Sequence, residues 1–237
     1  MNNSVTNTAR LLWAGLRALL VLTVVTGIIY PLVITGVAQG LFNGKANGSE
    51  IKVDGKVVGS SLIGQSYNLP LKKGQETAEA DLKWFQGRPQ NGLGTNGVNT
   101  QYALILSGAT NRSGDNGAVD GVCPPLDKAE ESTLCYWVRS AQEAVKTDNS
   151  VPGYEVKVSD IPADAVTSSG SGLDPAISPE YADLQVHRVA EKNGLSVAQV
   201  QKLVDDHTDG RTLGFMGEPT VNVLELNIAL KEIVAKS

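Results

Sequence analysis

Polar positions vanish from one stretch near the start of the chain. No charged residue occurs from Ala18 to Gly44, and the run from Ala18 to Leu41 is almost wholly apolar. About 24 residues at a rise of about 1.5 Å reach about 36 Å, more than a hydrocarbon core of about 30 Å. Backbone polar groups in lipid must bond within their own segment, so this run predicts a transmembrane helix. Pro31 predicts a kink that a neighbouring helix can accommodate. Gly27, Gly36 and Gly40 leave shallow places on the surface of this helix. Gly36 and Gly40 have the small-xxx-small spacing that permits close approach of another helix, although glycines are also ordinary in membrane helices. Gly36-Val37-Ala38 fits a signal-peptide cleavage site after Ala38 as well. The apolar run is longer than the usual stretch of about 7–15 residues, which favours an uncleaved anchor.

Beyond the anchor the periodicity changes. Ile51 and Val53 alternate with polar residues on one side of Asp54-Gly55, and Val57-Val58 follow, which predicts a β-hairpin. Residues 64–97 are rich in Gly, Asn, Gln and Pro and read as a loop pinned by Trp84-Phe85. Residues 107–127 read likewise, and a helix is expected from about Asp127 to Lys146. The last third is better punctuated. Ser178-Pro179-Glu180 pairs an N-cap with proline at the first helical position, and Asn193-Gly194 stops that helix. Ser196 to Gln199 spells a capping box, with Leu195 and Val200 as its staple. Asn222 to Glu225 repeats the device with Val221 and Leu226. Val197, Val200, Leu203, Val204 and His207 share one helical face, and Val223, Leu226, Leu230 and Ile233 share another. The expected fold class is α+β: one N-terminal transmembrane helix, then a domain with a small sheet and several C-terminal helices.

Composition narrows the function. Aromatic residues are 5% of the chain, so the core must be built mostly from Val, Leu, Ile and Ala. Only Arg10, Arg17 and Lys45 are basic before Glu50, the first acidic residue; the remainder is acidic, which argues against nucleic-acid partners. Arg10 and Arg17 place the N-terminus in the cytoplasm and the domain outside it, a modest bias given Lys45, Lys52 and Lys56 on the other side. Cys123 and Cys135 would close a short disulfide loop in an oxidising compartment, or stand as free thiols in a reducing one. Two cysteines with no nearby histidine offer too few ligands for a metal. No phosphate-binding loop is present, and Gly40 to Ala46 has the wrong spacing for one; a nucleophile elbow is missing too. His187 and His207 read as helix-surface or core-edge residues. Asn47-Gly48-Ser49 and Asn111-Arg112-Ser113 match a glycosylation pattern but read as turns. The densest polar segment runs from Val166 to Pro175. Its Ser169, Gly170, Ser171, Gly172 and Asp174 could cradle an anion or a partner, or could form a plain turn before the next helix.

Several segments resemble the C subunit of the Kdp potassium-transporting ATPase. The run Ser168-Ser169-Gly170-Ser171-Gly172-Leu173-Asp174-Pro175-Ala176-Ile177-Ser178-Pro179 is similar to that family's SxSGLDPxIS signature. Further matches are Gly27 to Leu32, Ala46 to Ser49, Gly59 to Gln65, Trp84 to Pro89, Gln185 to Ala190, Asn193 to Ser196 and Gly217 to Asn227. Together they span most of the chain in the family's order. The chain departs from the pattern after Ser107-Gly108-Ala109-Thr110-Asn111, and residues 107–136 look like an insertion.

The resemblance implies a non-catalytic accessory subunit of a high-affinity, ATP-driven potassium importer in the bacterial plasma membrane. Implied partners are a channel-like potassium-binding subunit and a P-type ATPase subunit, with room for a small single-span subunit, besides membrane lipid. The implied activity is that of a catalytic chaperone that raises the ATP affinity of the ATPase subunit. No cofactor of its own is expected; ATP acts through the complex and potassium is the transported ion. The chain carries no DKTG phosphorylation motif and no potassium filter. The expected organisation is a cytoplasmic segment (1–17), a transmembrane helix (18–41) and an extracytoplasmic domain (42–237). The rival readings are an anchored hydrolase using Ser169 or Ser171 with Asp174 and His187, and a solute-binding domain unrelated to transport.

Overall fold

The chain begins with one long helix. The computed structural model describes residues 3–75, 78–89 and 116–236. Helix α1 (Asn3–Val24) runs through a π-helical turn (Val25–Ile29) into α2 (Tyr30–Leu41). The stretch Thr6–Leu41 is apolar and long enough to cross a membrane: 36 residues rise about 54 Å. Leu19, Ile28 and Leu32 are among its exposed large side chains.

The wide turn answers Pro31. Proline has no N–H, so the carbonyl four residues earlier lacks its α-helical donor. Just before it, the Tyr30 N–H donates to the Val25 carbonyl, five residues back, and the Thr26 hydroxyl donates to the Leu22 carbonyl at 2.7 Å. Adjustments of this kind keep a proline-containing helix satisfied where water is absent. A short helix, α3 (Asn43–Ala46), follows α2. Gln39, Asn43 and Asn47 link their side-chain amides at 3.0–3.1 Å.

The chain divides into two compact units, residues 1–50 and 51–237. The second opens with the expected hairpin, β1 (Glu50–Val53) and β2 (Lys56–Ser60), turned by Asp54 and Gly55 at φ of 51° and 76°. Residues 61–75 and 78–89 form no named strand or helix. The segment 107–111 and the Asn111 glycosylation pattern lie outside the described residues.

Helix α4 spans Leu134–Asn149 and starts later than Asp127. The stretch Leu126–Lys128 makes a 3₁₀ turn instead. Thr133 is the N-cap, and the Cys135 N–H, left free in the first helical turn, donates to the Asn116 carbonyl at 2.9 Å. Cys123 and Cys135 are joined by a disulfide with Cα atoms 5.2 Å apart. Arg139, one turn into α4, donates to the carbonyls of Cys123 (2.9 Å) and Pro124 (3.3 Å).

After the short helix α5 (Ala163–Val166) the core elements follow closely: β3 (Ala176–Ile177), α6 (Pro179–Asn193), α7 (Val197–Asp206), β4 (Thr208–Asp209), β5 (Thr220–Asn222) and α8 (Val223–Val234). The caps read from the sequence are present. Ser178 Oγ accepts from the Tyr181 N–H, Gly194 takes φ +67° at the end of α6, and the two-way capping box forms at Ser196 and Gln199. Asn222 caps α8 by accepting from the N–H groups of Leu224 and Glu225.

The sheet is antiparallel in the order β3-β5-β4, with Ile177 and Thr208 both opposite Val221. Val221 lies at its centre and is fully buried. Ala182, Val186 and Val189 of α6, Val200 and Val204 of α7, Leu226 and Leu230 of α8, and Phe85 fill the core. Each large apolar side chain buried there contributes about 1.5–3 kcal/mol. Two positions depart from the expected stripe. Val197 stays 40% exposed, and His207 turns its Nδ1 onto the Leu203 carbonyl of its own helix at 2.8 Å.

Candidate functional site

Residues 82–88 form neither helix nor strand, yet Phe85 is buried and every neighbour except Lys83 is at least half-buried. The polar groups of this backbone must therefore find partners on other elements. Four helical side chains supply them. Asn227 of α8 accepts from the Phe85 N–H and donates to the Phe85 carbonyl, both at 2.9 Å. Gln185 of α6 does the same for Gln86, at 2.7 and 3.1 Å. Each amide imitates the edge of a neighbouring strand. Arg188, one turn beyond Gln185, donates to the carbonyls of Leu82 and Trp84, to Asn149 Oδ1 at 2.8 Å and to Gln185 Oε1 at 2.6 Å. Asn193 adds a bond to the Lys83 carbonyl at 2.8 Å.

Arg188 is wholly buried, and its partners are oxygens of neutral groups. Burial lowers its pKa to about 10, against the pull of Tyr181, Asp148 and Asp81, so it stays charged at neutral pH. Burial raises Asp148, while Arg188 pulls it down. Burial also pushes the nearby Tyr181 up to about 12. No described buried side-chain oxygen or nitrogen lacks a partner. The reward for this clamp is the seating of Phe85 in the core, with Trp84 beside Tyr67 at 6.1 Å between ring centroids.

The clamped segment delivers Arg88 to the Ser/Gly loop. Its guanidinium meets Asp174 Oδ2 at 3.4 Å and donates to the carbonyls of Thr167 and Ser168 at 3.3–3.5 Å. The loop is folded onto itself. Ser169 Oγ accepts from the Gly172 N–H at 3.0 Å, and Ser171 Oγ accepts from the Leu173 N–H at 3.1 Å. Gly172 is buried at φ +69°, a left-handed conformation that favours glycine. Asp174 Oδ1 holds the Ala176 N–H at 3.0 Å. The Leu173 carbonyl accepts from the Gly64 N–H at 2.8 Å, and Asn222 Nδ2 donates to the Ser61 carbonyl at 2.9 Å. Segments 59–65, 82–88, 167–175 and 185–193 and the start of α8 thus meet at one junction.

The other sequence candidates are dispersed. His187 stacks on Tyr154, with ring centroids 3.9 Å apart and planes within 5°. Asp174 is engaged by Arg88, so the acid and base of a hydrolase reading have different partners. Among the described residues no group of three or more His, Cys, Asp or Glu side chains is placed to hold a metal. Gly27, Gly36 and Gly40 lie on the long helix with open space around them. Sequence reasoning assigned no role to Gln185, Arg188, Asn227 or Arg88. The available signal for Gln185, Arg188 and Asn227 was polar residues at helical spacing inside apolar stripes, and for Arg88 its place in the run Trp84 to Pro89.

The segments that meet at this junction all lie within the stretch that a family model matches. A model of the family described as KdpC, the c chain of K⁺-transporting ATPase, matches residues 12–232. The chain belongs to the KdpC family. Similar proteins are each named as the KdpC subunit of a potassium-transporting ATPase. One from Streptomyces avermitilis is 76% identical over the whole of both chains. Another from Streptomyces coelicolor is 72% identical over 99% of this chain and 98% of its own. A more distant one from Caldanaerobacter subterraneus is 45% identical over 92% of each.

Proposed function

We propose that this chain is a non-catalytic accessory subunit of a high-affinity, ATP-driven potassium uptake complex. The observation that carries the reading is the family match over residues 12–232, which takes in both the apolar helix and the junction. A 36-residue apolar helix with its large side chains exposed is costly in water, and lipid or partner helices would cover it. In this reading residues 18–41 span the bacterial plasma membrane, with the N-terminus inside and residues 42–237 outside. The Cys123–Cys135 disulfide suits an oxidising compartment. The partners are a channel-like potassium-binding subunit and a P-type ATPase subunit, with room for a small single-span subunit. Gly27, Pro31, Gly36 and Gly40 are the residues at which this helix packs against others.

The chaperone role is an increase in the ATP affinity of the ATPase subunit, transmitted through the complex. The Ser169–Asp174 loop acts in assembly rather than as a nucleotide cradle. Support for this is that the N–H groups of Gly172 and Leu173 are taken by the loop's own hydroxyls, and that Asp174 is paired with Arg88. The chain binds no cofactor of its own, and potassium and ATP enter through its partners. Purification from native membranes in mild detergent, after growth at very low potassium, tests the reading. Co-elution of a channel-like subunit and a P-type ATPase is expected. Elution alone, with those subunits expressed, would overturn it.

A further inference from the structure

The connection between β4 and β5 ends in an apolar finger. Thr212 and Met216 exchange backbone hydrogen bonds at 2.9 and 3.0 Å, closing a three-residue tip of Leu213, Gly214 and Phe215. Leu213 is 78% exposed, Phe215 70% and Met216 44%. Arg211 and Glu218 form an ion pair across the stem. Leu213 holds φ +54°, a left-handed conformation that leucine seldom adopts. Glycine or asparagine would relieve that strain, so the turn displays a leucine against its own conformational preference. Such strain at an exposed apolar tip points to binding.

Two kinds of surface could cover the finger, lipid or protein. Charge decides between them. Residues 51–237 hold 17 Lys and Arg against 24 Asp and Glu, and the finger and its stem, Thr208 to Thr220, carry Asp209, Arg211 and Glu218. Interfacial lipid binding calls for a surplus of Lys and Arg near the apolar residues, to attract anionic headgroups. The finger has none. An aromatic and an aliphatic anchor on a closed turn, beside a single Arg211–Glu218 ion pair, match the centre of a protein interface.

We infer that Leu213, Phe215 and Met216 insert into an apolar pocket on the extracytoplasmic face of another subunit of the same complex. This inference rests on the accessory-subunit reading. The test is photo-crosslinking of the full chain in native membranes with Phe215→p-benzoylphenylalanine, with adducts identified by mass. The expected product is a covalent adduct to a subunit that also co-purifies with the unmodified chain. Adducts only to phospholipid, or no adduct while those subunits still co-purify, would overturn the inference. Failure of the unmodified chain to bring any such subunit would instead sink the accessory-subunit reading, and this inference with it. The double substitution Leu213→Gly and Phe215→Ser gives a second readout. Recovery of the partner should fall at least tenfold under detergent washing, while the isolated chain melts at an unchanged or higher temperature. Full retention of the partner by this variant would count equally against the inference.

Discussion

Arg188 concentrates the cost and benefit of the junction in one side chain. Its charge is stripped of water and repaid by four oxygens, so removing it leaves those oxygens unsatisfied. Arg188→Met should destabilise the protein by more than about 2 kcal/mol, since each buried oxygen left without a donor costs about 1–3 kcal/mol. Thermal unfolding of the full chain in detergent, followed by tryptophan fluorescence, would show it. Tyr181 makes a prediction in pH. Its folded pKa is raised from 10.0 to about 12, so its contribution is present below pH 10 and lost as pH rises from 10 towards 12. Two units correspond to about 3 kcal/mol. Tyr181→Phe should remove that alkaline loss, so between pH 10 and 12 the melting temperature of the unaltered protein should fall relative to that of the variant. These residues were opaque in the sequence. A buried arginine or glutamine is recognisable only once its distant partners are known, and Leu82 lies 106 residues before Arg188.

Helices α6, α7 and α8 were legible because their boundaries are local. A cap needs only a side chain and an N–H two or three residues away, as at Ser178, Ser196 and Asn222. The start of α4 was not legible, because Thr133 caps it while a disulfide and the Asn116 carbonyl hold its first turn from outside the helix. Strand β2 depends on a close approach that spacing does not reveal. A Cβ on Gly59 would meet Gln65 Nε2 and fall 2.7 Å from Leu224 Cδ2. Gln65 itself donates to the Val58 carbonyl at 2.8 Å. Gly59→Ala should therefore cost about 1–3 kcal/mol through overpacking, read as a lower urea midpoint at unchanged slope.

At the scale of the molecule, the family motifs made more of the site visible than periodicity did. They fell on the segments that converge, but they could not say that Arg88 would meet Asp174 or that Asn227 would hold Phe85. The disulfide adds a test of compartment as well as of stability. Closing a loop of this length stabilises by about 3 kcal/mol in the chain-entropy account. Cys135→Ser should lower the unfolding midpoint accordingly, and alkylation of intact cells before lysis should leave both thiols of the unaltered protein unlabelled. Labelling of both thiols in intact cells would contradict an extracytoplasmic domain.

The clamp on residues 82–88 also fixes an order of events during synthesis. The backbone groups of Phe85 lack their partner until Asn227 has been made, 142 positions later. A ribosome that has finished the hairpin, the clamped segment and even α6 has produced a chain that cannot yet close its core. Non-local closure of this kind slows folding and leaves apolar surface open in the interim. The domain therefore becomes a folded body only once α8 has been made, so a chain interrupted anywhere before α8 is unfinished instead of a smaller working one.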